Sequence, residues 1–351
     1  MNRITLVSEI GTWTGYGQHA IQIVQWMQSS GYYVSIRALK PNVKNVPVQF
    51  AKQFVHCIQP EPIEILLSVP SRVPTPGKSV AFFTMWESTR LPPGYVDNCN
   101  KSTLVIVPSR WNKMGFEASG VTVPIHVVPL GIDPSVYFYR HPGTTDPFIF
   151  GAAGNLFNGK KRKGVLDVVE SFKRVFKKET NVRLWVKCIG SELSDSDSRI
   201  QFFPNSMTDI ELSWWYGNIN CFASFTRGEG WGLMQHQAMA VGRPVISAVY
   251  GGLAEFMGQD DCYPVYFREV PAEELWSGLG NWAEPDQEHF ELLLRHAYEN
   301  REEGVEVGRR ASRKAMQFTW QRSVLETIRL VEILEQSNAT QANQGPLRLS
   351  A

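Results

Sequence analysis

The sequence is poor in the features that mark a chain for the membrane, the cell exterior or nucleic acid. No segment reaches the roughly 18 consecutive apolar residues of a membrane span, and the opening MNRITLVSEIG holds only a short apolar run, unlike an export signal. The five cysteines (Cys57, Cys99, Cys188, Cys221, Cys262) are odd in number and scattered, with no C-x-x-C pair. They indicate neither a disulfide framework nor a zinc site, and they fit a reducing cytoplasm. Excess charge is missing too: 35 Lys+Arg against 34 Asp+Glu leaves +1. That removes any global pull toward nucleic acid, although a local patch leaves peripheral membrane contact open. Gly 28 and Pro 21 are too few for a fibrous or low-complexity chain. What remains is a soluble globular composition, 43% hydrophobic and 20% charged, and 351 residues suffice for two domains at roughly 150 residues each.

Along the chain the signals alternate strand, turn, helix, strand. A β-branched run at 4–10 leads into the Gly-rich GTWTGYG, then a helical pattern at 18–29 with Ile21, Val24 and Met27, then a strand at 33–39. Further apolar runs at 64–69, 79–83, 103–107 and 125–129 are near-continuous, as strands buried on both faces should be. YRHPGTTDP (139–147) breaks the pattern with two prolines and a glycine, and the alternation then restarts. The expectation is an α/β fold of two Rossmann-like, doubly wound domains facing a cleft. Residues 1–143 would form the first domain, 144–317 the second, 318–336 a last helix, and 337–351 a disordered tail.

Three stretches carry chemistry. In TRGEGWGLMQHQAMAVGRPVIS (226–247), Gly228, Gly230 and Gly232 let a strand turn sharply into a helix whose free N–H groups suit a phosphate. Glu229 beside them would repel phosphate but accept hydrogen bonds from sugar hydroxyls. GAAGNLFNGKKRKGVLDVV (151–169) sets Lys160, Lys161, Arg162 and Lys163 after a strand and before a helix, where they could meet a diphosphate. GYGQHA matches G-x-G-x-x-A at Gly15, Gly17 and Ala20, yet the following strand offers Arg37 and Lys40 instead of the acid that a nicotinamide dinucleotide requires. Asp195 and Asp197 make a D-x-D in a polar loop, which reads as solvated surface rather than a metal site. Asn338-Ala339-Thr340 is a glycosylation sequon by pattern alone.

EGWGLMQHQAMAVGRPVI resembles the E-x7-E region of retaining glycosyltransferases of the GT-B fold, glycosyltransferase family 4, with Glu229 at the first acid and the neutral Gln237 at the second. PSRWNKMGFEASGV with VVPLGIDPSVY (108–137), YGGLAEFM (250–257) and FTWQRS (318–323) extend the likeness over most of the chain. The resemblance implies a GT-B fold, with the last helix crossing back to the first domain. It also implies a nucleoside-diphosphate sugar as co-substrate, no cofactor and no essential metal. It places Glu229, Lys163, Arg162, the backbone of Gly230, Trp231, Gly232 and Leu233, then Gln237 and Glu255, against the donor, with Gly15 and Gly17 near its phosphate. The usual Arg after the first glycine is Asn155 here, and which of Lys160 to Arg162 replaces its charge stays open.

Glu87, where many members carry a His, is a candidate base or sugar contact on the acceptor side; a rim salt bridge is the plain alternative. Tyr16, His19 and Trp86 are acceptor-side candidates, although His19 would serve equally as a structural histidine, Trp86 as interface packing and Glu255 as a helix-capping acid. The expected activity is retaining transfer of a hexosyl-type sugar to a hydroxyl of a glycan, glycolipid or small molecule, in the cytoplasm. Two alternatives remain: a nucleotide-sugar-binding or regulatory protein with little activity, motivated by Gln237, and a sugar-nucleotide epimerase.

Overall fold

The computed structural model describes residues 2–10, 14–39, 61–144, 146–156, 160–189 and 193–343. Cys57, Lys40 and residues 344–351 lie outside them. The first domain runs β1 (Arg3–Ser8), α1 (Gly15–Ser29), β2 (Tyr33–Ala38), β3 (Ile63–Leu67), β4 (Ser79–Phe83), α2 (Pro93–Cys99), β5 (Leu104–Val107), α3 (Arg110–Ser119) and β6 (Ile125–Val127). Its strands pair in parallel in the order β2-β1-β3-β4-β5-β6. β3 and β5 are buried at every position, because helices cover both faces of such a sheet.

The second domain repeats the plan with β7 (Phe148–Asn155), α4 (Lys160–Lys163), α5 (Val165–Val175), β8 (Val182–Ile189), β9 (Ile200–Phe203), α6 (Asp209–Gly217), β10 (Cys221–Ala223), α7 (Leu233–Ala240), β11 (Val245–Ser247) and β12 (Tyr263–Pro264). The order is β12-β11-β10-β7-β8-β9, again parallel. An antiparallel hairpin, β13 (Phe267–Pro271) with β14 (Asn281–Pro285), stands apart from both sheets. Helices α8 (Gln287–Glu299), α9 (Arg301–Ala315) and α10 (Trp320–Asn343) complete the chain. Ile132 bridges Thr319, and α10 then packs on α1, β3 and β4 of the first domain.

Local chemistry explains where the elements differ from the sequence expectation. Helix α1 starts at Gly15, not 18, because Thr14 caps it, its Oγ1 accepting from the Gly17 N–H at 2.9 Å. The GYG segment is therefore a first helical turn and not a loop. At the other end, α10 runs on to Asn343, through residues 337–343 that the sequence reading assigns to a disordered tail. There the Ser337 and Thr340 hydroxyls bond back to Ile333 and Gln336 carbonyls, and Ser79 of the first domain donates to Asn338 Oδ1 at 2.8 Å. The sequon asparagine is thus engaged in a helix contact.

Candidate active site

In both sheets the strands point their carboxyl ends at one cavity of about 350 Å³, the place where ligands bind in open α/β folds. The start of α1 brings Gly15, Tyr16 and Gln18 with their cap Thr14; the segment after β4 brings Met85 and Glu87. From the second domain come Gly154 and Asn155 at the end of β7, Lys187 and Ile189 of β8, Ser206 and Met207 beyond β9, and the loop after β10.

That last loop makes the floor. Gly232 holds a left-handed backbone (φ 99°), and a Cβ there would lie 2.3 Å from Leu253 Cδ2, so only glycine turns the chain into α7 at this point. Leu233, Met234 and, one turn on, Gln237 then face the cavity along with Gly230, Trp231 and Gly232. The Trp231 indole packs among Phe256, Phe318 and His236, its Nε1 donating to His236 Nδ1 at 3.3 Å. What Trp231 offers the cavity is its backbone.

Glu229 lies at the centre of the charges. Lys163 Nζ donates to its Oε1 at 2.6 Å, Thr226 Oγ1 donates to the same oxygen at 3.0 Å, and Arg162 Nη1 stands 3.5 Å from Oε2. Burial by itself would raise the Glu229 carboxyl, but Lys163 and Arg162 outweigh it and hold the group below the usual carboxylate range. Burial lowers the Lys163 ammonium, with Glu229 pulling the other way and Arg162 adding to the fall. Two buried cations thus share one carboxylate, leaving a net positive site. Lys160 and Lys161 are exposed, with Lys161 Nζ bonded to Glu273 at 2.6 Å. Of the open set Lys160 to Arg162, only Arg162 reaches the cavity lining among the described residues.

Among the described residues the facing wall carries one charged group, Glu87. Burial, then the Glu87 charge, raise the Tyr16 phenol. Gln18 Nε2 crosses to Asp209 Oδ1 of the second domain at 2.8 Å. The two walls touch where Gly228 meets the Glu87 carbonyl: a Cβ on Gly228 would lie 2.2 Å from that oxygen.

Four expected site residues lie outside the lining. Gly17 is a buried turn of α1 with its N–H on Thr14. His19 is fully buried between Phe83 and Trp320, and burial lowers its imidazole to about 3, so it is a neutral core residue. The Trp86 indole donates to the Arg90 carbonyl at 2.8 Å and packs on Tyr95 and Trp276. Glu255 accepts from the Arg110 backbone N–H at 2.6 Å and pairs with the Arg110 guanidinium at 3.1 Å, joining the second domain to the start of α3. Its capping role is the plain alternative named for it, exercised on a helix of the other domain.

The sequence reading misses Thr14, Gln18, Thr226 and Lys187. Thr14 has a legible signal, a capping hydroxyl before a helix. Lys187 sits on the same face of β8 as Trp185 and Ile189, opposite the buried Leu184, Val186 and Cys188, and burial lowers its ammonium. Alternation alone could not say that this face ends in the cavity. Asp195 and Asp197 are engaged by Lys173 and Arg199 respectively. Among the described residues no group of three His, Cys, Asp or Glu is placed to hold a metal ion, and no helix is long and apolar enough to cross a membrane.

Residues 147–274 match the family model described as Glycosyl transferases group 1. No curated protein matches the chain. Among solved structures, sucrose-phosphate synthase from Thermosynechococcus elongatus superposes with a TM-score of 0.72 at 13% identity, over 96% of this chain and 100% of that one. HepE from Anabaena, in complex with UDP and glucose, gives 0.70 at 12% over 95% and 100%. The pneumococcal O-GlcNAc transferase GtfA, with UDP and GlcNAc, gives 0.54 at 16% over 77% and 56%. At such identity these likenesses show the fold: two Rossmann-like domains in the GT-B arrangement.

Proposed function

We propose that the protein is a retaining glycosyltransferase that moves a hexosyl-type sugar from a nucleoside-diphosphate donor to an acceptor hydroxyl without an essential metal. The observation that carries this reading is the buried Lys163–Glu229–Arg162 group at 2.6 and 3.5 Å, set at the turn into α7 in the cleft. The group 1 match over 147–274 supports it, as do the UDP and sugars in the HepE and GtfA structures.

In this reading the donor diphosphate lies against Lys163, Arg162 and the backbone N–H groups at the start of α7. Negative charge grows on the diphosphate as the glycosidic bond breaks, and fixed cations in a water-poor site stabilise it without reorganising. Glu229, ionised and therefore acceptor-only, takes hydrogen bonds from sugar hydroxyls. Gln237 contributes a neutral amide where the resembled family has a second acid. Glu87 faces the same space from the first domain and serves the incoming hydroxyl. We assign no covalent nucleophile; the leaving phosphate can itself take the acceptor proton. The acceptor is a hydroxyl of a glycan, glycolipid or small molecule, met in the cytoplasm.

A thermal-shift panel of UDP, GDP, ADP and their common sugars tests the reading, because a specific ligand raises apparent stability by mass action. A clear shift by one base without metal, unchanged by magnesium, is expected. No shift with any of them would overturn the donor site, and a shift only with magnesium would overturn its independence of metal.

A further inference from the structure

The turn that carries Arg162 and Lys163 is gripped from outside by the tip of the β13–β14 hairpin. Lys161 Nζ pairs with Glu273 at 2.6 Å, and the backbone N–H groups of Lys161 and Arg162 donate to the Glu274 carboxylate at 3.1 and 3.4 Å. The Arg162 guanidinium lies 4.9 Å over the Trp276 ring. Among the described residues Glu274 is the only non-glycine with a left-handed backbone (φ 56°), a conformation that persists where surrounding contacts demand it. The hairpin reaches the first domain as well. Trp276 packs 5.8 Å from Trp86 and, with Ala272 and Trp282, is buried in the first domain's own cluster around Val80, Phe82 and Phe116. Asn281 and Thr89 exchange hydrogen bonds at 2.8 and 3.0 Å.

We infer that this hairpin is a strap that positions Arg162 for the donor diphosphate and ties that position to the contact between the domains, with Trp276 as the positioning residue. The inference rests on the donor-site reading above. A guanidinium is planar, so one hydrogen bond and one stacked face suffice to orient it. Here Nη1 donates to the Gly228 carbonyl at 2.5 Å and Trp276 supplies the face. Nε is buried without a hydrogen-bond partner, so the group has donor capacity to spare while its plane is held. Trp276 lies beneath the Arg162 guanidinium and also packs, tilted by 46°, against Trp86. Separation of the domains at Trp86 and Thr89 therefore removes support from Arg162, and the diphosphate site is complete only when the first domain is in place.

Calorimetric titration of UDP, GDP and ADP into the wild type, Trp276→Ala, Trp276→Phe, Arg162→Ala and the double alanine variant tests this. Trp276→Ala should weaken binding of the preferred diphosphate about tenfold, the scale of a desolvated cation–π contact, and Trp276→Phe should restore most of it. The double variant should bind no more weakly than Arg162→Ala alone, as residues acting through one another do. Wild-type affinity in Trp276→Ala, or losses that add in the double variant, would overturn the inference. If the alanine variant does not fold, Trp276→Leu keeps bulk without a π face: a similar loss supports the strap, and full affinity overturns it. A wild type that binds none of the three diphosphates overturns the donor-site reading itself, a result distinct from the others.

Discussion

On the second-domain side of the cavity, Lys163 and Arg162 both lie within 3.5 Å of Glu229 and all three are buried or nearly so, while the first-domain side offers Thr14, Gly15, Tyr16, Gln18, Met85 and one carboxylate, Glu87. The first arrangement is an electrostatic device, held in advance by the strap, by Thr226 and by the turn at Gly232. The second mixes the polar Thr14, Gln18 and Glu87 with the bulk of Tyr16 and Met85. Fixed charge selects a charged ligand and stabilises charge that develops on it, whereas a wall of mostly uncharged groups selects by shape, with Glu87 as its one charge among the described residues. The second-domain side should therefore tolerate little change in charge, and the first-domain side, Glu87 apart, little change in volume.

The sharpest way to break that contrast is Lys163→Ala, which leaves the Glu229 carboxylate with the Arg162 cation and the Thr226 hydroxyl; turnover should fall by about 10²–10³, the scale of losing one preorganised charge contact, in an assay of nucleoside-diphosphate release. Unchanged turnover would remove the electrostatic reading of the floor. Glu87→Gln should lower acceptor-dependent release by about 10² and leave diphosphate affinity intact by calorimetry. A matching loss of diphosphate affinity would instead place Glu87 with the donor.

Smaller effects follow from buried imidazoles. His19 and His236 are lowered by burial to about 3 and about 4. Between those values and the ordinary histidine value of about 6.5 the unfolded chain binds protons that the folded chain refuses, so stability falls as pH drops through that window. Between pH 7 and 5 each should cost about 1–2 kcal/mol. In His19→Leu the fall in Tm should shrink without vanishing, since His236 remains; an unaltered pH slope would contradict the assignment. Least of all, Gln237→Glu should leave turnover within about threefold or reduce it, because the cavity already holds Glu229 and Glu87 and must take a diphosphate. A large gain would instead favour the reading of a nucleotide-sugar-binding protein with a decayed site.

The same contrast explains what was legible in the sequence. Gly228, Glu229, Gly230, Gly232 and the KKRK run sit in short stretches whose spacing alone announces a strand-to-helix turn and a basic cluster, and the structure brings these stretches together. His19 carried its own warning: with Ile23 and Met27 it falls at i, i+4 and i+8, the inward stripe of α1. The hairpin gave no local signal. Its residues are unremarkable in period, and their meaning comes from Trp86, Thr89 and Arg162, far away in the chain. Residues 337–343 depart from the sequence expectation for a related reason, since their helix is supported by Ser79 and by hydroxyls bonding back along it and not by an apolar stripe.

The tight contact of the two domains at Gly228 and the Glu87 carbonyl has an evolutionary and practical consequence. There is no room for one methyl group between Gly228 and the Glu87 carbonyl, and on the proposed reading the donor and acceptor sides meet there. A new acceptor cannot be accommodated by moving the Glu87 segment inward without displacing the loop that carries Glu229. Redesign of one specificity is thus a redesign of both, and libraries that vary residues 85–87 and 226–230 jointly should yield active variants that libraries varying either segment alone do not.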